Sequence, residues 1–197
     1  KAIKRLSEWS GVPADQLSSY NIKSSGAGSN WWLGPALMSR DMRVGPYHRY
    51  CPKCVAADLQ NGRGREQTRP YVRAAWMTRA VEACVEHGCV IVEAVPDKKA
   101  HGDFARYVAD NLERLREEAG TVPLAASVEI ARYVENRIYG KSSNEFLDQF
   151  EAYVAIDLCR NIGNFAIQHG LVESTATAVG ELSLVDYGFE IACQGPE

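Results

Sequence analysis

A mainly helical fold with one embedded zinc-binding module carrying short β strands is what the sequence predicts, and three observations predict it. Apolar residues recur at helical spacing through residues 101–195. Four cysteines crowd into residues 51–89. A short β-type apolar run, Val90 to Val92, directly follows them. With 197 residues, 46% hydrophobic and 24% charged, the chain has room for one domain or two small ones. No run approaches the roughly 18 uninterrupted apolar residues of a membrane span. No charged-then-apolar leader opens the chain.

Three segments follow in order. Residues 1–48 read as an N-terminal helical segment. Ile3, Leu6 and Trp9 lie at helical spacing with Gly11 as a stop, and Pro13 and Asp15 start a second short turn ending near Tyr20. Residues 21–30 have loop composition, and Trp31, Trp32 and Leu33 open a mixed stretch up to His48. Residues 49–95 form the cysteine module, interrupted by a polar excursion over residues 60–69.

Residues 96–197, after Pro96, read as a helical domain with short connections. Phe104, Val108, Leu112 and Leu115 mark one amphipathic helix, and Val128 to Ile138, stopped by Gly140, marks another. Ser143 or Asn144 caps a third that carries Phe146, Leu147, Phe150, Tyr153 and Val154. Gly163 and Gly170 punctuate the next, and a last helix runs through Leu182 and Tyr187. Strand is expected only in short pieces beside the cysteines, with no sheet of three or more strands outside residues 45–95.

The cysteine spacing carries the chemistry. Cys51-Pro-Lys-Cys54 is followed, 29 residues later, by Cys84-Val-Glu-His87. Two residues between ligands let a tight turn present both side chains to one ion. Two such knuckles supply the four ligands of a closed tetrahedral zinc site with no position left for water. Cys89 lies two positions beyond His87, so a four-cysteine site is the internal alternative; repetition of the two-residue knuckle favours His87. A redox dithiol also uses C-x-x-C, but it wants a strand before and a long helix directly after, and a Gly/Arg loop soon follows here. Cys159 and Cys193 fit small core residues. His48 reads as a spare ligand or a surface residue, and His101 and His169 as residues near helix ends. No nucleophile with a paired base and no catalytic carboxylate pair stands out. Gly62-Arg63-Gly64-Arg65 lacks the Lys-Ser/Thr of a phosphate-cradling loop. The expectation is a non-enzyme with one structural zinc.

Charge is unevenly spread. Residues 1–90 carry +6 and the remainder −9, for a total of −3. This pattern fits a polyanion-facing part joined to a part that faces something else, or simply two solvated faces of opposite sign. Arg63, Arg65 and Arg69 on the excursion are the candidate phosphate contacts, whereas Tyr71 and Trp76 fit better as packing against the zinc module.

The segments Arg49-Tyr50-Cys51-Pro52-Lys53-Cys54-Val55-Ala56-Ala57-Asp58, Tyr71-Val72-Arg73-Ala74-Ala75-Trp76 and Cys84-Val85-Glu86-His87-Gly88 together resemble the TniQ family. Its pattern is R-x-C-P-x-C-L-x-x-D, Y-x-R-x-x-W and C-P-x-H-G. Val55 and Val85 depart from it and leave the ligands untouched. Leu6 to Leu17, Leu158 to Gly163 and Tyr187 to Ala192 are similar to the family's helical elements, less specifically. The chain begins at Lys1 and stops shortly after Phe189, which against the family pattern reads as a fragment. The resemblance implies helix-turn-helix-like bundles around a zinc ribbon, and a non-catalytic accessory protein of bacterial transposition, like its TnsD-like relatives. It also implies partners: target DNA or a nucleic-acid effector complex, an AAA+ ATPase and a transposase, in the bacterial cytoplasm and without a membrane. A protein–protein adaptor with no direct DNA contact is the alternative.

Overall fold

A computed structural model describes residues 2–19, 21–26, 28–95, 102–171 and 180–196, the last stretch with side chains from Leu184 onward. The expectations placed on Tyr20, Pro96, His101 and the Leu182 side chain lie outside the described residues. About half of the chain is helical, with eight α-helices and a few short strands among the described residues.

Helices α1 (Ala2–Ser10) and α2 (Ala14–Ser19) open the chain. The mixed stretch after them is a three-stranded antiparallel sheet of β1 (Lys23–Ser24), β2 (Trp31–Leu33) and β3 (Ala36–Met38). That corrects the expectation of no such sheet outside residues 45–95. The cause is a period of two too short to stand out in a composition scan. Trp31 and Leu33 face inward, as do Ala36 and Met38, while Trp32 and Leu37 are half-buried on the other face. Gly34, at φ +58, lets the chain reverse within two residues so that Leu33 pairs with Ala36. The 3-10 turn Arg40–Met42 then leads to strand β4 (His48–Tyr50) and helix α3 (Pro52–Asn61).

Strand β5 covers Val92–Ala94, two residues later than the expected Val90–Val92; Val90 makes a single bridge to Ala83 instead. β5 pairs antiparallel with β4, Tyr50 opposite Val92. The expected helix from Phe104 to Leu115 is two helices, α4 (Phe104–Asp110) and α5 (Leu112–Thr121), broken at Asn111. Asn111 leaves helical geometry at φ −132 and bonds its side chain to the Tyr107 carbonyl, 2.8 Å away, the competition with backbone that makes Asn a poor interior helix residue. Val108 and Leu115 still face one core, as their spacing required.

Helix α6 (Glu129–Ile138) matches its expected span closely. Asn144 does cap, but it caps the short 3-10 turn Leu147–Gln149: its Oδ1 accepts from the Phe146 and Leu147 amides at 3.1 and 2.8 Å. The helix proper, α7 (Ala152–Gln168), starts later and runs unbroken through Gly163. Helix α8 (Gly180–Ala192) packs on it. Gly163 is a contact rather than a punctuation mark. A Cβ there would sit 1.9 Å from the Leu184 carbonyl oxygen, and one on Gly188 would sit 1.8 Å from that of Cys159. Two backbones therefore meet where two side chains are missing.

Because the colliding atoms are backbone, neither helix can yield by a rotamer change. Gly163→Ala and Gly188→Ala should each destabilise the chain by about 3 kcal/mol or more, the upper end for overpacking. Urea unfolding followed by circular dichroism measures this; a change under about 0.5 kcal/mol, typical of surface positions, would show that α7 and α8 do not approach this closely.

Candidate metal centre

The two knuckles are positioned by the strands that flank them. β4 runs directly into the first knuckle and β5 leaves just after the second, so their pairing sets both in register. Cys51 is the N-cap of α3, Pro52 takes the first helical position, and the Cys54 amide donates to Cys51 Sγ at 3.4 Å. A strand before and a helix through the motif correct the expectation that a loop soon follows it, so the clustering with Cys84 and His87, not the flanking elements, argues against a redox pair. The second knuckle is the tip of a tight hairpin. The Ile91 amide donates to the Glu82 carbonyl, the Cys84 amide to the Cys89 carbonyl and the Gly88 amide to the Cys84 carbonyl, each at 2.8 Å. Gly88, at φ +62, supplies the left-handed residue that this reversal needs.

These turns bring Cys51, Cys54, Cys84 and His87 together, with all four ligand atoms within 4.8 Å of one another. The three cysteines are buried and the histidine is half-buried. Cys54 Sγ and Cys84 Sγ are 3.7 Å apart; His87 Nδ1 lies 3.7, 3.3 and 3.6 Å from the sulfurs of Cys51, Cys54 and Cys84. Bonds of about 2.3 Å to sulfur and 2.0–2.1 Å to nitrogen make the edges of a tetrahedron roughly 3.8 Å between sulfurs and 3.5 Å between sulfur and nitrogen. The donor set therefore fits a tetrahedral ion, and the four residues could hold one.

Cys89 is buried close by, its sulfur 3.4 Å from Cys51 Sγ, but outside the set in which every ligand atom neighbours every other. Hydrogen bonds from Cys54 and Cys84 pull the Cys51 thiol down to about 2, and Cys54 is pushed far up beside them. Burial pushes Cys89 up to about 12. Burial also pushes Glu135 up to about 6, with the charges of Cys84 and Glu86 adding to it. The raised thiols stay protonated without an ion, and a bound cation would favour their thiolate forms and release those protons.

Residues around the ligands tie the module together. Arg49, 6% exposed, donates through Nη1 to the carbonyls of Trp76 (3.5 Å) and Thr78, and through Nη2 to that of Val81 at 2.8 Å; its Nε lies 3.5 Å from Glu93. It thereby fastens the chain that leads into the second knuckle onto β4. Asp58, on α3, takes a two-pronged bond from Arg73 at 2.8 and 3.0 Å. The Arg73 guanidinium lies over the rings of both Tyr71 and Trp76, at 4.5 and 4.6 Å. Trp76 is buried as expected, whereas Tyr71 is exposed, with the Arg73 guanidinium over its ring. His48 lies away from the ligands, its ring 4.6 Å from that of Tyr107. His169 follows α7 with its ring tilted against that of Phe165, and Cys159 is buried.

The excursion between the knuckles divides its arginines. Arg63 and Arg65 are exposed. Arg69 turns inward, donating to the carbonyls of Leu59 at 2.5 Å and Gly64 at 3.2 Å, and so closes the end of α3.

The TniQ family model matches residues 1–91. That segment, just under half of the chain, is similar to the TniQ family. No curated protein and no solved structure matches the chain. The match suggests a transposition-associated accessory protein. Of the motif residues of the TniQ pattern that are not ligands, Arg49, Asp58, Arg73 and Trp76 brace the knuckles. Their structural role was legible only as a pattern; the sequence spacing alone does not show that Arg73 reaches back to Asp58. No helix among the described residues is long and apolar enough to cross a membrane.

Metal analysis of the purified chain should find one tightly bound ion per chain. Cys51→Ser should lose it and open residues 49–92 to protease, whereas Cys89→Ser should retain it. An ion-free, protease-resistant wild type, or a Cys89→Ser variant that no longer holds metal, would contradict this arrangement.

Proposed function

We propose that this TniQ-like chain is a non-catalytic transposition accessory protein that contacts nucleic acid and recruits the transposition machinery. In this reading the ion at Cys51, Cys54, Cys84 and His87 is zinc. Three thiolates and an imidazole suit zinc, and with no open position its role is structural. Its charge offsets that of the thiolates and its binding free energy becomes folding free energy.

One observation carries the nucleic-acid part. The excursion that projects between the two knuckles is held at both ends, by α3 and by Arg69, and presents Arg63 and Arg65 to solvent. Guanidinium groups on such a loop suit backbone phosphates, which attract charge without demanding a sequence. Arg69, engaged with the end of α3, is the least available of the three candidates.

A second reading, a protein–protein adaptor without DNA contact, is favoured by α1. Its Leu6 and Trp9 are 50% and 79% exposed, an apolar face of the kind that marks protein contacts. An AAA+ ATPase or an effector complex is the partner in that case.

Duplex binding measured across a salt series separates the two. Wild type should bind at low salt, and Arg63→Ala/Arg65→Ala should lower the slope of log K against log salt by about 1.8, or roughly 0.9 per phosphate contact. Equal slopes would remove the loop from the interface. Failure of wild type to bind at low salt, with retained binding to an ATPase partner, would favour the adaptor.

A further inference from the structure

The basic character of residues 1–90 is not confined to the cysteine module. An open cleft of about 670 Å³ lies between the β1–β2 connection and the turn that follows β3. Arg40 and Arg43 line it from the turn; Ser24, Ser29 and Asn30 line it from the β1–β2 side. No carboxylate is among its described lining residues. The one acid on the turn, Asp41, lies between the two arginines in sequence but lines a different cavity, together with Arg160, and accepts from Ser39 Oγ at 2.6 Å. That hydrogen bond holds its carboxyl below the usual range, so the acid is ionised and occupied elsewhere. Both arginines are exposed, and among the described residues neither pairs with a carboxylate.

The backbone of the turn that carries them is held by its neighbours. Met42 is buried, and its carbonyl accepts from the Thr78 hydroxyl at 3.1 Å and from the Arg79 amide at 2.8 Å. The indole of Trp31 donates to the Ser39 carbonyl at 2.8 Å. Two cations are thus mounted on a backbone fixed to both β2 and the segment leading into the second knuckle. Such mounting removes ordering cost before a ligand arrives. A small-molecule site would be enclosed and mostly apolar. This one is open and, beside Ile22, Trp31 and Val44, presents guanidinium, hydroxyl and amide groups, the donor set found against phosphate in protein–DNA contacts.

We infer that the cleft is a phosphate-contact site for a nucleic-acid backbone, carried by Arg40 and Arg43 and separate from the arginines of the excursion. The inference rests on the nucleic-acid reading proposed above, and its test keeps the two apart.

One duplex of fixed sequence is titrated across salt with the full chain, with Arg40→Ala/Arg43→Ala, with Arg40→Lys/Arg43→Lys and with Arg63→Ala/Arg65→Ala. The Arg40→Ala/Arg43→Ala variant should unfold at the wild-type temperature, bind more weakly at low salt and lose about 1.8 from the salt slope. The lysine pair should restore most of that slope. A wild-type slope in Arg40→Ala/Arg43→Ala overturns this proposal alone, and wild type that binds no duplex at low salt overturns it together with the nucleic-acid reading. Inorganic phosphate, followed through the Arg40 and Arg43 Nε–H resonances, is the second arm. Weak, unsaturated shifts are expected; saturation at low millimolar phosphate with no effect on duplex slope would make the cleft a free-anion site and overturn the proposal.

Discussion

The structure depends on four ligand atoms meeting at one point although their two pairs are 29 residues apart in sequence. Between those pairs Val55, Leu59, Ala75, Trp76, Val81 and Ala83 are buried, a small core spread thinly along the stretch. The proposed metal is the largest single term available to fix it. A structural zinc contributes about 10–16 kcal/mol in small zinc modules at neutral pH, against a total stability of about 5–15 kcal/mol for a typical domain. On that scale the proposed ion outweighs any one hydrogen bond or ion pair around it, and its ligands dominate how residues 49–92 fold.

The remaining contacts select geometry more than they supply energy. The pairing of β4 with β5 sets the relative position of the knuckles, and Arg49 fixes the approach to the second. Asp58 and Arg73 link α3 to the turn that carries Trp76. Closure also draws on residues past the TniQ-matched segment. The Tyr50 hydroxyl bonds to Tyr107 at 3.1 Å and to Glu118 at 2.8 Å. The Val90 amide donates to the Pro123 carbonyl, and the Ala125 amide to that of Gly88. Helix α5 packs on α3, and Arg116 pairs with Glu66 of the excursion. These contacts cross the boundary drawn at residues 95 and 96, so the acidic second half is not a separate layer. Part of its charge lies against the module.

What was legible in the sequence follows from the range of the signals involved. The knuckles announce themselves because ligand chemistry demands fixed residue types at fixed spacing, and helices with long apolar stripes, such as α6, do so by periodicity. Short elements do not. Trp31 to Met38 gives each strand of its hairpin only two inward residues, too few for a period of two to separate from noise. The break at Asn111 depends on whether one amide bonds its own turn or solvent. Gly163 looked like a helix breaker because its reason for being glycine, the Leu184 carbonyl, lies on another helix. The same holds for the site: the ligand set follows from spacing, whereas the inward turn of Arg69 and the pairing of Arg73 with Asp58 depend on how the chain returns.

The central claim is that three sulfurs and one imidazole nitrogen close a tetrahedron around zinc, leaving Cys89 as a bystander. X-ray absorption at the zinc edge on the purified full chain tests it most directly. The account predicts three sulfur scatterers at about 2.3 Å and one nitrogen at 2.0–2.1 Å, with no water oxygen. A four-sulfur shell would place Cys89 in the site and expel His87, and a shell containing a water oxygen would make the site open; either result would contradict the account.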